Sequence, residues 1–140
     1  MGRFEGLFDQ LLADEKAVKQ RRHPREEEHR LQVACVNWYR LQHRKYADSL
    51  IAVPNGGKRD KTTAKKMKAE GQLAGVADLI LLKSNRYYGA LMIEMKTRTG
   101  RQAETQKQWQ EYIEQQGYKY VVCRSIEDFM REVNDYLLNV

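Results

Sequence analysis

The sequence predicts a mixed α/β fold in which helices flank a β-sheet. Residues 75–82 and 89–96 form two apolar runs around a short polar break, a pattern typical of paired, buried strands. Segments with helical spacing of apolar residues surround this pair, in the order helix, helix, strand, helix, strand, strand, helix, strand, helix. The glycine-rich phosphate-binding patterns GxGxxG and GxxxxGK(S/T) do not occur.

Length, charge and cysteine content limit the class of protein. A chain of 140 residues is expected to form one domain, residues 1–140. No apolar run approaches the roughly 18 residues of a membrane span, and the N-terminus lacks a secretory signal, so we expect an intracellular protein. Cys35 and Cys123 lack the spacing of zinc ligands and are expected to be reduced core thiols. The net charge of +6 favours an anionic partner, most often nucleic acid.

The N-terminal part predicts a helical extension over residues 1–22. Helical spacing of apolar residues indicates a first helix over residues 4–18, with Phe4, Leu7, Phe8, Leu11 and Leu12 on one stripe. Such a stripe usually belongs to a core or an interface. The basic residues between 19 and 25 then form either a solvated linker or a phosphate contact.

A second helix is predicted from Pro24 to about Lys45. Proline in the first turn and three glutamates after it favour the start of a helix. The stripe expected to face inward comprises Leu31, Cys35, Trp38 and Leu41 or Gln42. Glu28 and Gln32 are four residues apart and share one face beside that stripe. From the residues alone, Glu28 is best explained as a charge that favours the helix N-terminus.

Residues 50–68 predict a strand, a turn and a basic helix. Leu50–Val53 is a short β-like run, and Pro54–Gly57 is a strong turn signal. Six lysines and arginines against one acid, Asp60, follow between residues 58 and 68. This segment suits either a phosphate backbone or a solvated helix face.

The C-terminal part predicts a loop, a helix, a strand and a closing helix. The loop spans residues 97–101, and a helix over residues 103–116 ends at Gly117 and places Gln106, Trp109, Gln110 and Ile113 on one side. Residues 118–123 form the last strand. Residues 126–138 form the last helix, with Phe129, Val133 and Leu137 facing inward.

Asp78, Glu94 and Lys96 are ionisable residues within the apolar hairpin. Asp78 and Glu94 lie symmetrically about Arg86, so an antiparallel hairpin centred there brings the two carboxylates opposite one another. Strand alternation places Glu94 and Lys96 on one face. Burying these charges is costly unless they pair with each other or with a metal. They are interpreted as a Mg²⁺ or Mn²⁺ site that activates water, or as a structural ion network.

The residues around this hairpin resemble the PD-(D/E)xK nuclease superfamily, and its VRR-NUC branch in particular. Asp78 and Glu94-Met95-Lys96 carry the superfamily pattern. The residues that carry the wider pattern are Glu28, Gln32, Asn55-Gly56-Gly57, Gly71, Gly75-Val76-Ala77-Asp78, Gln106 and Trp109. The resemblance spans about residues 26–128 and implies a restriction-endonuclease-like core. One departure is Ala77, where the family usually has proline.

The resemblance implies roles for individual residues. Asp78, Glu94 and the Met95 carbonyl would bind the metal, and Lys96 would be the catalytic lysine. Glu28 would be a further catalytic carboxylate and Gln106 an active-site glutamine. The residues expected to contact DNA are Gln32, Asn55, Gly56, Lys58, Arg59, Lys61 and Lys65.

The function implied by the resemblance is structure-selective DNA endonuclease activity. Stand-alone family members of bacteria and phages look like homodimers that cut branched DNA such as Holliday junctions, and the resemblance implies the same for this chain. The expected location is then the cytoplasm of a bacterium or of a phage-infected cell. The apolar N-terminal helix is then a candidate dimer element. Two alternatives remain open: a non-catalytic DNA-binding module on a nuclease scaffold, and a sequence-specific enzyme of the restriction type.

Overall fold

A mixed four-stranded sheet forms the centre of the fold. The computed structural model describes residues 6–7, 9–13, 24–54 and 60–140. The strands are β1 (Leu50–Ala52), β2 (Leu79–Leu81), β3 (Leu91–Met95) and β4 (Lys119–Cys123). They are ordered β1-β2-β3-β4, with β1–β2 and β2–β3 antiparallel and β3–β4 parallel. The predicted mixed sheet is confirmed.

The register of the β2–β3 hairpin confirms the predicted pairing. Leu79 lies opposite Ile93, and Leu81 lies opposite Leu91. Extending this register by one pair places Asp78 opposite Glu94, as the symmetry about Arg86 predicts. The regular part of β2 is shorter than the apolar run, because residues 75–78 form a turn and bend and residues 82–90 form an irregular connection.

Within residues 24–54 and 60–140, four helices surround the sheet. They are α1 (Pro24–Gln42), α2 (Lys61–Ala69), α3 (Glu104–Gln115) and α4 (Ile126–Leu138), and a 3-10 helix spans Arg44–Ser49. Asp60 begins α2 by accepting a hydrogen bond from the Thr63 amide at 2.6 Å. Residues 6–7 and 9–13 are helical, in agreement with the predicted first helix, whereas the linker at 19–23 lies outside the described residues.

The helices divide into two layers on either side of the sheet. On one face, α1 and α4 pack against the alternate strand residues Leu79, Leu91 and Ile93. On the other face, Trp109 and Ile113 of α3 pack against Met92 and Tyr120. Every residue of β3 is therefore buried, whereas Ile51 and Ala52 of the edge strand β1 remain exposed. Within the described ranges, no helix combines the length and hydrophobicity needed to cross a membrane.

The expected inward position of Leu41 or Gln42 is wrong. Leu41 is 66% exposed and Gln42 is exposed, whereas Tyr39 is completely buried. The Tyr39 hydroxyl donates a hydrogen bond to the Tyr46 carbonyl at 2.6 Å, so its polar atom has a partner in the core. The inward stripe near the end of α1 therefore continues from Cys35 to Tyr39.

The two cysteines are free and buried, as expected. Burial raises the pKa of each thiol to about 12, because a low-polarity environment disfavours the thiolate. Both thiols are therefore part of the packing on the α1 and α4 side of the sheet.

Candidate active site

Asp78 is held at the start of β2 by both neighbouring strands. Its main-chain carbonyl accepts a hydrogen bond from the Val53 amide, after β1, at 2.8 Å. Its side-chain Oδ2 accepts a hydrogen bond from the Met95 amide of β3 at 2.8 Å. These bonds fix the carboxylate next to the end of β3.

Glu94 is a buried carboxylate with four polar neighbours. It is 1% exposed, and it accepts hydrogen bonds from Gln106 Nε2 at 2.9 Å and from the Tyr120 hydroxyl at 3.3 Å. Lys96 Nζ lies 3.6 Å from Glu94 Oε1. Burial and the neighbouring Asp78 carboxylate raise the pKa of Glu94 to about 8, although Lys96 and Tyr120 oppose the rise.

Met95 ends β3 and Lys96 follows it, and their side chains and backbone amides point to opposite sides. The Met95 side chain is buried in the core, while its amide bonds to Asp78. The N–H and C=O of one strand residue point to the same side, so the Met95 carbonyl also faces the Asp78 side. The Lys96 amide instead bonds to the Cys123 carbonyl at 3.0 Å and extends the pairing with β4. The predicted alternation of side chains is confirmed.

Gln106 is oriented by the N-terminus of α3. Its Oε1 accepts a hydrogen bond from the Ala103 amide at 2.8 Å, while its Nε2 donates to Glu94. Because the oxygen is committed to the helix cap, the amide nitrogen must point toward the carboxylate. Gln106 therefore connects the start of α3 to the end of β3.

Gly75 allows the segment before Asp78 to pass close to α3. Its φ angle is +86°, and a Cβ at this position would lie 2.5 Å from the Thr105 carbonyl oxygen. Both the backbone angle and the space favour glycine. Ala77, two residues later, is completely buried against the α3-side core with Ala90 and Met92. Close packing thus fixes the turn that precedes Asp78.

A cleft of about 740 Å³ collects most of the predicted site residues. Glu28 and Gln32 of α1, Asp78 before β2, Glu94, Met95 and Lys96 of β3, and Gln106 of α3 all line it. The structure brings these residues together from four parts of the chain. Lys61 and Lys65 are exposed on α2 and do not line the cleft. The predicted DNA contacts at Asn55, Gly56, Lys58 and Arg59 lie outside the described residues.

The chain matches a known protein family over most of its length. A sequence model described as the VRR-NUC domain matches residues 13–127, which include every residue named above as lining the cleft. This chain belongs to the VRR-NUC family. Among solved structures, a VRR_NUC domain protein is 27% identical and superposes with a TM-score of 0.71, covering 80% of this chain and 88% of that chain. A search of curated proteins gave no match.

The VRR-NUC assignment also explains the architecture. A mixed sheet flanked by helices, together with this structural neighbour, confirms the expected restriction-endonuclease-like α/β core. Asp78 and Lys96 lie at one end of the central hairpin, where Asp78 precedes β2 and Lys96 follows β3. The fold is therefore of the nuclease type.

The donor set of this VRR-NUC domain fits a divalent cation. Two carboxylates and a carbonyl supply the hard oxygen ligands that Mg²⁺ and Mn²⁺ prefer. Burial and Asp78 raise the pKa of Glu94, and Lys96 offsets only part of this rise. Within the described ranges, no three acidic, histidine or cysteine side chains converge on a metal position. Glu28 therefore lines the cleft without completing a three-carboxylate cluster.

The sequence analysis missed Arg40 and Tyr120, and it considered Arg25 only as part of a basic run that forms a solvated linker or a phosphate contact. Arg25 and Arg40 of α1 line the cleft, and Tyr120 of β4 donates a hydrogen bond to Glu94. Continuing the helical spacing of Glu28 and Gln32 in both directions would have found the two arginines. No local signal identifies Tyr120, because its position depends on the parallel pairing of β4 with β3.

Proposed function

We propose that this VRR-NUC protein is a metal-dependent, structure-selective endonuclease that hydrolyses phosphodiester bonds in branched DNA such as Holliday junctions. The observation that carries this proposal is the pairing of Asp78 with Glu94 at the end of one hairpin, with Lys96 beside them in a cleft. Membership of the VRR-NUC family and the net charge of +6 support DNA as the partner.

Mg²⁺ or Mn²⁺ would be held by the carboxylates of Asp78 and Glu94 and by the Met95 carbonyl. Such an ion, when bound, lowers the pKa of water and offsets negative charge on the reacting phosphate. Asp78 Oδ2 already accepts the Met95 amide, so Oδ1 is the oxygen best placed for a ligand role. Gln106 and Tyr120 hold the Glu94 carboxylate in one orientation.

Lys96 supplies a positive charge within the site. Its ammonium group lies 3.6 Å from Glu94, and its side chain is 13% exposed. It can donate hydrogen bonds to the attacking water or to a non-bridging phosphate oxygen, which stabilises the charge that develops during hydrolysis. Glu28 of α1 lines the same cleft and supplies a further carboxylate, next to either the metal or the attacking water.

DNA contacts extend from the cleft to the basic segment that follows β1. Gln32 lines the cleft, and Lys61 and Lys65 are exposed on α2. With Asn55, Gly56, Lys58 and Arg59, they supply contacts that attract the phosphate backbone independently of base sequence. This mode of binding suits an enzyme selective for the shape of DNA.

A homodimer would place two such sites on one junction. Leu7 and Leu11 lie one helical turn apart and are 59% and 58% exposed, as a helix without its apolar partner would be. We assign this helix as the dimer element. A two-fold axis then relates two active sites, so that symmetric strands of a four-way junction can be cut.

The test is a cleavage assay with a four-way junction and a linear duplex of the same sequence. Wild-type protein with Mg²⁺ or Mn²⁺ should cut the junction preferentially, and EDTA should stop cleavage. Asp78→Asn and Lys96→Ala should retain DNA binding and lose cleavage. DNA binding without cleavage under any divalent ion would instead indicate a non-catalytic binding module, and equal cleavage of both substrates would refute structure selectivity.

A further inference from the structure

One face of α1 forms a continuous wall of the cleft. Residues that line the cleft recur along this helix at helical spacing: Arg25, Glu28, Gln32, Val36 and Arg40. We call this face the α1 wall. Fifteen residues separate its ends, which corresponds to about 22 Å along the helix axis. The wall is therefore long enough for a polymer to run beside it.

Charges are distributed unevenly along the cleft. Lys96 is already paired with Glu94 at 3.6 Å. Arg25 and Arg40 lie at the two ends of the α1 wall, and both are exposed. Arg40 has no ion-pair or hydrogen-bond partner for its side chain among the described residues. An exposed guanidinium at the rim of a cleft is suited to bind a phosphate, since its planar donors can form two parallel hydrogen bonds.

We infer that the α1 wall binds the backbone of the DNA strand, with Arg25 and Arg40 contacting phosphates at its two ends. This inference rests on the proposed function and adds the path of the strand to it. The separation of about 22 Å matches the axial rise of about six nucleotides of a duplex strand. The strand therefore lies along α1, and Gln32 contacts it between the two arginines.

Arg30 provides a matched control on the same helix. It is exposed like Arg25 and Arg40, but it does not line the cleft. Replacing any of the three with glutamine removes one positive charge and keeps most of the side-chain length. Only the substitutions of Arg25 and Arg40 should remove contacts inside the cleft. All three substitutions lower the net charge by the same amount.

The experiment measures the binding of a fluorescein-labelled four-way junction by anisotropy over a series of NaCl concentrations, in EDTA so that cleavage does not occur. Arg25→Gln and Arg40→Gln should each weaken binding by roughly five- to tenfold, and each should reduce the slope of log K against log salt by about 0.9, the value for one lost phosphate contact. Arg30→Gln should leave the slope unchanged. Arg40→Lys should restore it, because the charge is kept.

Two results would overturn the inference, and they have different meanings. If wild type binds and cuts DNA but Arg25→Gln and Arg40→Gln behave like Arg30→Gln, the strand does not follow the α1 wall and the proposed function stands. If wild type neither binds nor cuts DNA, the proposed function fails and the inference fails with it. Circular dichroism of each variant establishes that the helix content is unchanged.

Discussion

Asp78 and Glu94 are cross-strand partners at the end of the β2–β3 hairpin, one pair beyond Leu79 and Ile93. Their carboxylates are close enough that Asp78 contributes to raising the pKa of Glu94 to about 8. Like charges repel and burial disfavours an ionised carboxylate, so a second acid opposite the buried Glu94 costs stability. The two carboxylates outnumber the one ammonium group beside them, and a bound cation would offset this surplus of negative charge.

Glu94→Gln should stabilise the metal-free protein at alkaline pH. The pKa of Glu94 is about 8 in the folded state and 4.5 in the reference state, so the stabilising contribution of this group is present below about pH 4.5 and is lost as pH rises toward 8. Glutamine removes this loss and can still accept the Gln106 hydrogen bond. At pH 9 in EDTA, the variant should have a higher Tm in thermal unfolding. Its free energy of unfolding should exceed that of wild type by an amount on the order of a few kcal/mol.

Two further comparisons complete this experiment. At pH 4 the wild type and Glu94→Gln should differ little, because the wild-type carboxyl is then neutral. Addition of Mn²⁺ at pH 8 should raise the Tm of wild type and leave that of the variant almost unchanged. Equal Tm values across the whole pH range would show that Glu94 is not destabilised by its neighbours.

Tyr120→Phe should weaken metal binding without unfolding the protein. The Tyr120 hydroxyl donates to Glu94 and lowers its pKa, so its removal makes the carboxylate a poorer ligand at neutral pH. The Mn²⁺ concentration for half-maximal cleavage should rise about tenfold. Tyr118→Phe is the matched control, since Tyr118 packs in the same α3-side cluster without a hydrogen bond to Glu94. An identical metal dependence of both variants would contradict this role.

Gly75→Ala should destabilise the protein and reduce cleavage. The new Cβ would meet the Thr105 carbonyl at 2.5 Å, and residue 75 has a φ of +86°. The free energy of unfolding should fall by about 2–4 kcal/mol, of which about 1–2 kcal/mol is the backbone cost. Gly71→Ala separates the two effects: Gly71 has a φ of +107° with no atom within 4 Å of its Cβ position. Equal losses in both variants would show that close packing against α3 is unimportant.

Charges on the exposed N-terminal helix should break the proposed homodimer. Leu7→Glu combined with Leu11→Glu replaces two exposed apolar side chains on one face of this helix. Light scattering after size-exclusion chromatography should change from a dimeric to a monomeric mass. Leu73→Glu, at a leucine that is 57% exposed outside this helix, should leave the mass unchanged. A monomeric wild type would refute the proposed homodimer.

The sequence predicts the hairpin of this site well and its surroundings less completely. Equal spacing of Asp78 and Glu94 about Arg86 is a local relation, so the register follows from it. The shared face of Glu28 and Gln32 follows from the helical repeat in the same way. Tyr120 could not be found, because its contact with Glu94 arises from the packing of β4 beside β3 rather than from any local spacing.

The end of α1 shows a second reason why local patterns fail. Helical spacing alone is compatible with an inward Leu41, but the Tyr46 carbonyl in the following 3-10 helix accepts the Tyr39 hydroxyl and allows Tyr39 to be buried. Arg25 and Arg40 are ordinary exposed arginines until the opposite side of the cleft is built from β3 and α3. Tertiary contacts thus decide which members of a helical face line the cleft.

The proposed function requires that Asp78 and Glu94 hold the ion on which hydrolysis depends. A crystal structure of the protein soaked in Mn²⁺ tests it most directly, since anomalous scattering locates the ion. We predict an anomalous peak between the two carboxylates, within about 2.0–2.3 Å of an oxygen from each residue, and no such peak in Glu94→Gln. Mn²⁺ bound elsewhere in active wild-type protein would contradict the proposed role of the two carboxylates. A peak that persists in Glu94→Gln would contradict it as well.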